Sequence, residues 1–338
     1  MFLSLKSWYL NFLDKDKRNL LENFFYFFLY LLSLLYGLIV ILRNILYDRN
    51  LIKTYSSQAK VISVGNISWA GSGKTPFCIW LYEKLSSQFK VAVLRRGYGK
   101  DEDKLLKEKI KDVFSSPNRC ELVRKFESLF DLFILDDGFQ HRRLKRDIDI
   151  LIMGAREFTR KYRLIPAYFF REPFSSLRRA NIIILNYCDD IKNLSLVRKN
   201  ILTLAPHAKV YCSRYSFKNI KNLANQDISI ERVKKEKLAA FAAIGYPEGF
   251  FNKLKDLGLD IQLYLKYPDH YELSKDEFNS LQEDLIRKNI FGLVITAKDK
   301  YHLPTTKPKV DIYILNIEIE IENNQDLLET IISKISKN

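Results

Sequence analysis

The residues best suited to chemistry are concentrated between Val61 and Pro76, in VISVGNISWAGSGKTP. Val61, Ile62 and Val64 read as a buried strand running into a turn of small residues, Ala70–Gly71–Ser72–Gly73, and then into a helix starting at Thr75–Pro76. Glycine at 71 and 73 permits backbone conformations closed to other residues, so several N–H groups can converge on one anion. Lys74 adds a mobile positive charge and Thr75 a hydroxyl suited to Mg²⁺, while the helix start contributes its positive dipole end. Together they make a cradle for nucleotide phosphates. The general pattern G-x-x-x-x-G-K-[ST] asks for glycine where this chain has Ser68, so the match is incomplete. An ordinary Gly/Ser loop carrying a lysine is the alternative; the strand before it and the amphipathic segment after it argue for the cradle.

Phosphoryl chemistry also needs acids for a metal ion and a group to accept a proton. Leu132–Leu135 is a continuous apolar run, as expected of a strand buried on both faces, and it ends in Asp136–Asp137. A phosphate loop followed by an acid-ended strand is an arrangement for phosphates and Mg²⁺, although paired aspartates at a turn also serve as helix caps. Lys90–Gly99 reads as a strand ending in Arg95, Arg96, Gly97 and Gly99, at the carboxyl edge where ligands bind in open parallel sheets. Surface solvation is the plain alternative for those arginines. Tyr267–Pro268–Asp269–His270 holds one of only four histidines, and a lone histidine in such a turn is often structural.

At 338 residues the chain is long enough for two compact domains. A formal charge of +15 implies an anionic partner: nucleotide, nucleic acid or an anionic membrane surface. Nucleic acid is disfavoured, because the lysines are dispersed and no aromatic-basic signature or recognition helix is evident. Cys78, Cys120, Cys188 and Cys212 lie far apart without metal-ligand spacing and read as reduced core thiols of a cytosolic protein.

The elements that must position these groups follow in order. Residues 1–22 mix Trp8, Tyr9, Leu10, Phe12 and Leu13 with lysines and Arg18, and would lie well on a membrane surface. Residues 24–42, FFYFFLYLLSLLYGLIVIL, are apolar on every helical face and long enough to contact or span a hydrocarbon core. Flanking positive charges balance, so orientation is undecided. Beyond this membrane-associated segment of residues 1–47, short apolar strands alternate with helical stretches to about residue 213, the pattern of a mostly parallel α/β sheet. The charged stretch 100–112 reads as an exposed helix. Residues 214–236 read as a linker, and 237–338 as a smaller α/β domain opening at Leu238–Ile244.

VGNISWAGSGKTP, RRGYG, LDDGFQHRRLKRDIDI, REP, IGYPEGFF, YPDH and ITAKD, in this order, resemble the tetraacyldisaccharide 4'-kinase family, the lipid A 4'-kinases. DDGFQHRR is the most specific of these, since ordinary P-loop proteins do not share it. The resemblance implies transfer of the ATP γ-phosphoryl to the 4'-hydroxyl of tetraacyldisaccharide 1-phosphate, giving lipid IVA, at the cytoplasmic face of the inner membrane. It also implies a P-loop NTPase-like domain joined to a smaller α/β domain, with the site in the cleft between them. Residue by residue, it implies a catalytic dyad of Asp101 and His270, phosphate contacts from Lys74, and charge stabilisation by Arg119 and Arg171. Thr75, Glu102, Asp136 and Asp137 are the expected Mg²⁺ ligands. Arg96, Tyr98, Gln140 and His141 are expected to contact the acceptor. The chain departs from the family in having Ala70–Gly71–Ser72 for Gly-Gly-Thr and KDED, immediately after RGYG, for GDEP. Tyr168 also replaces a glycine of the family. A rival reading is a membrane-associated P-loop NTPase acting as a switch or chaperone, because Asn186–Asp189 (NYCD) resembles a guanine-reading loop that lacks its lysine.

Overall fold

The computed structural model describes residues 9, 12, 13, 15, 17–69, 71–97, 100–158, 162–191 and 193–336. The expected loop residue Ala70 and acceptor residue Tyr98 lie outside them, as does most of the first sixteen residues. The chain divides into two compact units. The first comprises Met1–Tyr98, Lys109–Arg214 and Glu320–Asn338; the second comprises Gly99–Glu108 and Tyr215–Ile319. Chain order therefore does not follow the division. The charged stretch after Gly99 belongs to the second unit, and the C-terminal helix to the first.

The first unit is built on a parallel sheet of β1 (Lys60–Gly65), β2 (Val91–Arg95), β3 (Val113–Ser115), β4 (Leu132–Asp136), β5 (Ile148–Gly154), β6 (Ile182–Asn186) and the start of β7 (Lys209–Lys221). Its order is β3-β2-β4-β1-β5-β6-β7. The central strands are buried along nearly their whole length, which is why they read as unbroken apolar runs rather than alternating ones. The acid-ended strand lies beside the loop strand, with Val64 opposite Asp136. Across both units the described residues include the α-helices α1 (Leu20–Asp48), α2 (Lys74–Leu85), α3 (Lys100–Lys109), α4 (Arg119–Phe126), α5 (Leu194–Leu204), α6 (Ile230–Val233), α7 (Pro247–Asp256), α8 (Lys275–Arg287) and α9 (Asn324–Ser336).

Helix α1 opens with a capping box in which Asn19 accepts from the Glu22 N–H and Glu22 accepts from the Asn19 N–H. Leu29, Ser33, Gly37, Val40, Asn44 and Tyr47, spaced three or four apart, form one buried stripe. The other faces stay apolar and open: Phe24 is 74% exposed and Leu38 63%. It is long and apolar enough to cross a membrane. Yet its C-terminal half is bolted to the first unit by polar bonds. Tyr36 donates to the Arg171 carbonyl, Arg43 to the Gln140 carbonyl, and Asn44 to Glu172.

The second unit has its own parallel sheet, β10 (Ile261–Lys266), β9 (Leu238–Ala242), β11 (Gly292–Thr296) and β12 (Asp311–Ile321), in that spatial order. Residues 214–236 are not the irregular linker their polarity implied. β7 continues through them to Lys221 and pairs antiparallel with β8 (Asp227–Ile228), followed by the single turn α6. Sparse burial hid this strand: from Arg214 to Lys221 only Ile220 is buried, and the rest are half-buried or exposed. Likewise α3 is not a wholly solvated helix, because Asp101 and Leu106 on it are buried.

Candidate active site

In the first unit the loop after β1 enters α2 through Gly73, whose φ of 85° only glycine adopts readily. The helix begins at Lys74, one residue before the sequence implied. Two asparagines hold the loop: the Asn66 side-chain amide donates to Ser72 Oγ at 3.0 Å and that of Asn186 to the Ser72 carbonyl at 3.0 Å. Asn186 is thus committed to the loop, which removes the first residue of NYCD from base reading.

The end of β4 faces this loop. Asp137 sits at φ 52°, a left-handed conformation uncommon outside glycine. Its carboxylate accepts both Arg171 guanidinium nitrogens, at 3.0 and 2.8 Å, and lies 3.7 Å from Lys74 Nζ. The same guanidinium donates to Asn66. Burial would raise the Asp137 carboxyl, but the Lys74 charge and the Arg171 pair outweigh it and hold it well below the usual carboxylate range. Gly138 follows because a Cβ there would come within 2.7 Å of Leu135 Cβ and 2.8 Å of Ser63 Oγ.

Asp136 is placed differently from its neighbour. Strand register sets Leu94 against Leu135, so Arg95 reaches Asp136, and Arg95 Nε donates to it at 3.0 Å in a buried ion pair. Arg119 is buried and donates to the backbone carbonyls of Asp136 and Asp137, at 2.9 and 3.1 Å. It fixes the acid turn. Gln140 is drawn inward, donating to the Asn66 carbonyl and to Glu172. His141 lies 3.6 Å from the Cys120 thiol; burial and the nearby Arg119 and Arg146 push its pKa down to about 3, so it is neutral. Arg96 is exposed at the end of β2. Glu172 of the REP motif has no role in the sequence reading, yet it is a hub. Only 1% exposed, it accepts from Asn44 of α1, Gln140 and Arg179.

In the second unit, the first turn of α3 carries Asp101 and Glu102. His270, 169 residues along the chain and also left-handed at φ 65°, places Nδ1 at 2.9 Å from Asp101 Oδ2 and 3.1 Å from Oδ1. The turn is fixed by the His270 N–H donating to the Ala243 carbonyl beyond β9. Two further groups, given no role in the sequence reading, meet the same carboxylate: His302 Nε2 at 3.0 Å and Lys298 Nζ at 3.3 Å. Burial would raise the Asp101 carboxyl; the hydrogen bonds from His270 and His302 and the Lys298 charge hold it far below its ordinary range. Glu102 lies 3.7 Å from Lys298, beside this cluster. The signals that could have revealed the added residues were the lysine and aspartate of ITAKD and a histidine three residues after that aspartate.

A parallel α/β sheet whose glycine-capped loop meets an acid-ended strand defines a P-loop nucleotide-binding protein. The family described as tetraacyldisaccharide-1-P 4'-kinase matches residues 25–108 and 100–336, and the chain belongs to that family. Similar relatives named tetraacyldisaccharide 4'-kinase occur in Porphyromonas gingivalis, 31% identical over 87% of this chain and 92% of the relative. Another, in Halothermothrix orenii, is 28% identical over 97% of each chain. Among solved structures, LpxK from Aquifex aeolicus in complex with ATP is 26% identical, covers 90% of this chain and 97% of that one, and aligns with a TM-score of 0.69.

Proposed function

We infer that this chain is an ATP-dependent kinase that phosphorylates the 4'-hydroxyl of tetraacyldisaccharide 1-phosphate, giving lipid IVA. Its family membership supports the reaction. The observation that carries the assignment of residues is the pairing of Asp101 with His270, which links KDED to YPDH across 169 positions. Lys74 and the loop N–H groups bind the β- and γ-phosphates, and Arg171, whose guanidinium holds Asp137, would add positive charge beside the transferred group. The Thr75 hydroxyl and the Asp137 carboxylate are the hard oxygen donors Mg²⁺ prefers; Asp136, engaged by Arg95, supports them from behind. Mg²⁺, when bound, neutralises charge on the phosphates. Asp101 accepts the proton of the 4'-hydroxyl as its oxygen bonds to phosphorus and the bond to the ADP oxygen breaks, and His270 orients that carboxylate.

The acceptor has four acyl chains, and each buried CH₂ is worth about 0.8 kcal/mol, so it resides in a bilayer. The open faces of α1, with Phe24, Phe28, Leu35 and Leu38 exposed, are the proposed contact with an anionic inner-membrane surface at its cytoplasmic side. Because its buried stripe is docked on the first unit, we read α1 as lying in the interface rather than spanning. The test is incubation of the chain with Mg²⁺, the disaccharide lipid and either ATP or GTP, followed by mass measurement of the lipid. One added phosphoryl with ATP in preference to GTP is expected. Nucleotide turnover with unchanged lipid would favour the NTPase switch.

A further inference from the structure

We propose that His302, anchored by Asp299, is a positioning residue for Asp101, gripping from inside the second unit the same Oδ2 to which His270 makes its shorter contact, so that the carboxylate is held fixed between the two imidazoles. The inference rests on the base role proposed for Asp101. The two imidazoles on this carboxylate differ sharply in setting. His270 is 38% exposed at its side chain, whereas those of His302 and Asp299 are 1% and 0% exposed. His302 Nε2 lies 3.0 Å from Asp101 Oδ2 and its Nδ1 3.0 Å from Asp299 Oδ1. Asp299 is fixed in turn, accepting the Ala243 N–H at 2.9 Å and the Thr296 hydroxyl at 2.7 Å. The backbone of His302 is pinned as well, its carbonyl accepting the Leu273 N–H at 2.8 Å.

A neutral imidazole has one N–H and would turn a lone pair toward one of the two carboxylates. The doubly protonated ring donates to both. Burial opposes that charge, but the hydrogen bonds to Asp101 and Asp299 prevail and raise the His302 pKa to about 9. Asp101, His270 and His302 have a spacing compatible with a metal. Lys298 Nζ, 3.3 Å from Asp101 Oδ2 and 3.0 Å from Asp269, already supplies a cation there. The cluster is thus better fitted to hold a carboxylate still than to bind an ion. Holding matters because a reacting group displaced by about 1 Å loses on the order of 10²-fold in rate.

The test uses the full chain with ATP and detergent-dispersed lipid. His302→Asn and His302→Gln should each lower kcat about 10- to 100-fold with KM for ATP nearly unchanged. Adding His302→Asn to Asp101→Ala should cost nothing further, because residues acting as a unit are non-additive. Imidazole ¹⁵N spectra of the wild-type chain should show both ring nitrogens of His302 protonated at neutral pH, a readout independent of how the variants fold. A normal kcat in both variants, a multiplicative loss in the double variant, or a neutral His302 ring would overturn the proposal. A near-normal kcat in Asp101→Ala would instead remove the base assignment and this inference with it.

Discussion

Lys74 and Asp101 mark the two ends of the proposed reaction. Lys74→Ala should lower kcat/KM by two or more orders of magnitude with the fold intact, since preorganised charge of this kind is commonly worth about 3–4 kcal/mol. Steady-state kinetics beside a thermal melt check it, and an unchanged kcat/KM would remove the loop assignment. His302 gives a pH signature. Its folded pKa, about 9, is raised above the ordinary value near 6.5. Its contribution to stability is therefore full below about pH 6.5 and disappears as pH rises through about 9. Melting temperature should decline across that window in the wild type, and less in His302→Gln. The depressed carboxyls of Asp101 and Asp137 work in the opposite sense, adding stability above about pH 4 that is lost under more acid conditions. At this scale the sequence revealed residue types, and no partners beyond the Asp101–His270 dyad that the resemblance implied. Asp136 and Asp137 look equivalent in LDDGFQ, and only strand register, which delivers Arg95 to the first, tells them apart.

Helix α1 reads in sequence as apolar on every face, and that reading concealed its docking. Ser33, Gly37 and Asn44 are the small and polar residues of the buried stripe, and they are too sparse to stand out against the phenylalanines. REP and DDGFQHRR acquire a second physical meaning through it. Glu172 and Gln140 tie Asn44 of α1 to Asn66, which holds the phosphate loop, and Arg142 donates to the Asn44 carbonyl. Glu172 and Arg179 form a buried ion pair, so Glu172→Ala leaves a buried guanidinium uncompensated. It should destabilise the fold by roughly 3–5 kcal/mol, measurable by denaturant unfolding. Deleting α1 outright would remove Asn44 from the same cluster. A cleaner test of the membrane role exchanges Phe24, Phe28, Leu35 and Leu38 for glutamine. Activity on lipid in anionic vesicles should fall at least tenfold while activity on detergent-dispersed lipid stays within about threefold. Equal losses in both assays would make the exposed face structural.

Across the whole molecule, alternation of strand and helix gave the α/β class, because strands buried on both faces leave unbroken apolar runs in the sequence. The division into units was less legible. The chain passes from one to the other within β7 and returns within β12, and no composition shift marks a boundary inside a continuous strand. Residues 99–108 also belong to the second unit, which chain order hides; the resemblance gave the Asp101–His270 pairing but not His302. The net charge of +15 predicts that vesicle association weakens with ionic strength, as the Debye length falls from about 10 Å at 0.1 M to about 3 Å at 1 M.

The most direct measurement of the central claim is a single turnover of γ-labelled ATP with the disaccharide lipid, comparing wild type, Lys74→Ala and Asp101→Ala. The account predicts label in the lipid with the wild type and at least a hundredfold slower transfer in both variants, with ATP binding retained in Asp101→Ala. Label released only as inorganic phosphate by the wild type, or transferred at the wild-type rate by Asp101→Ala, would contradict it.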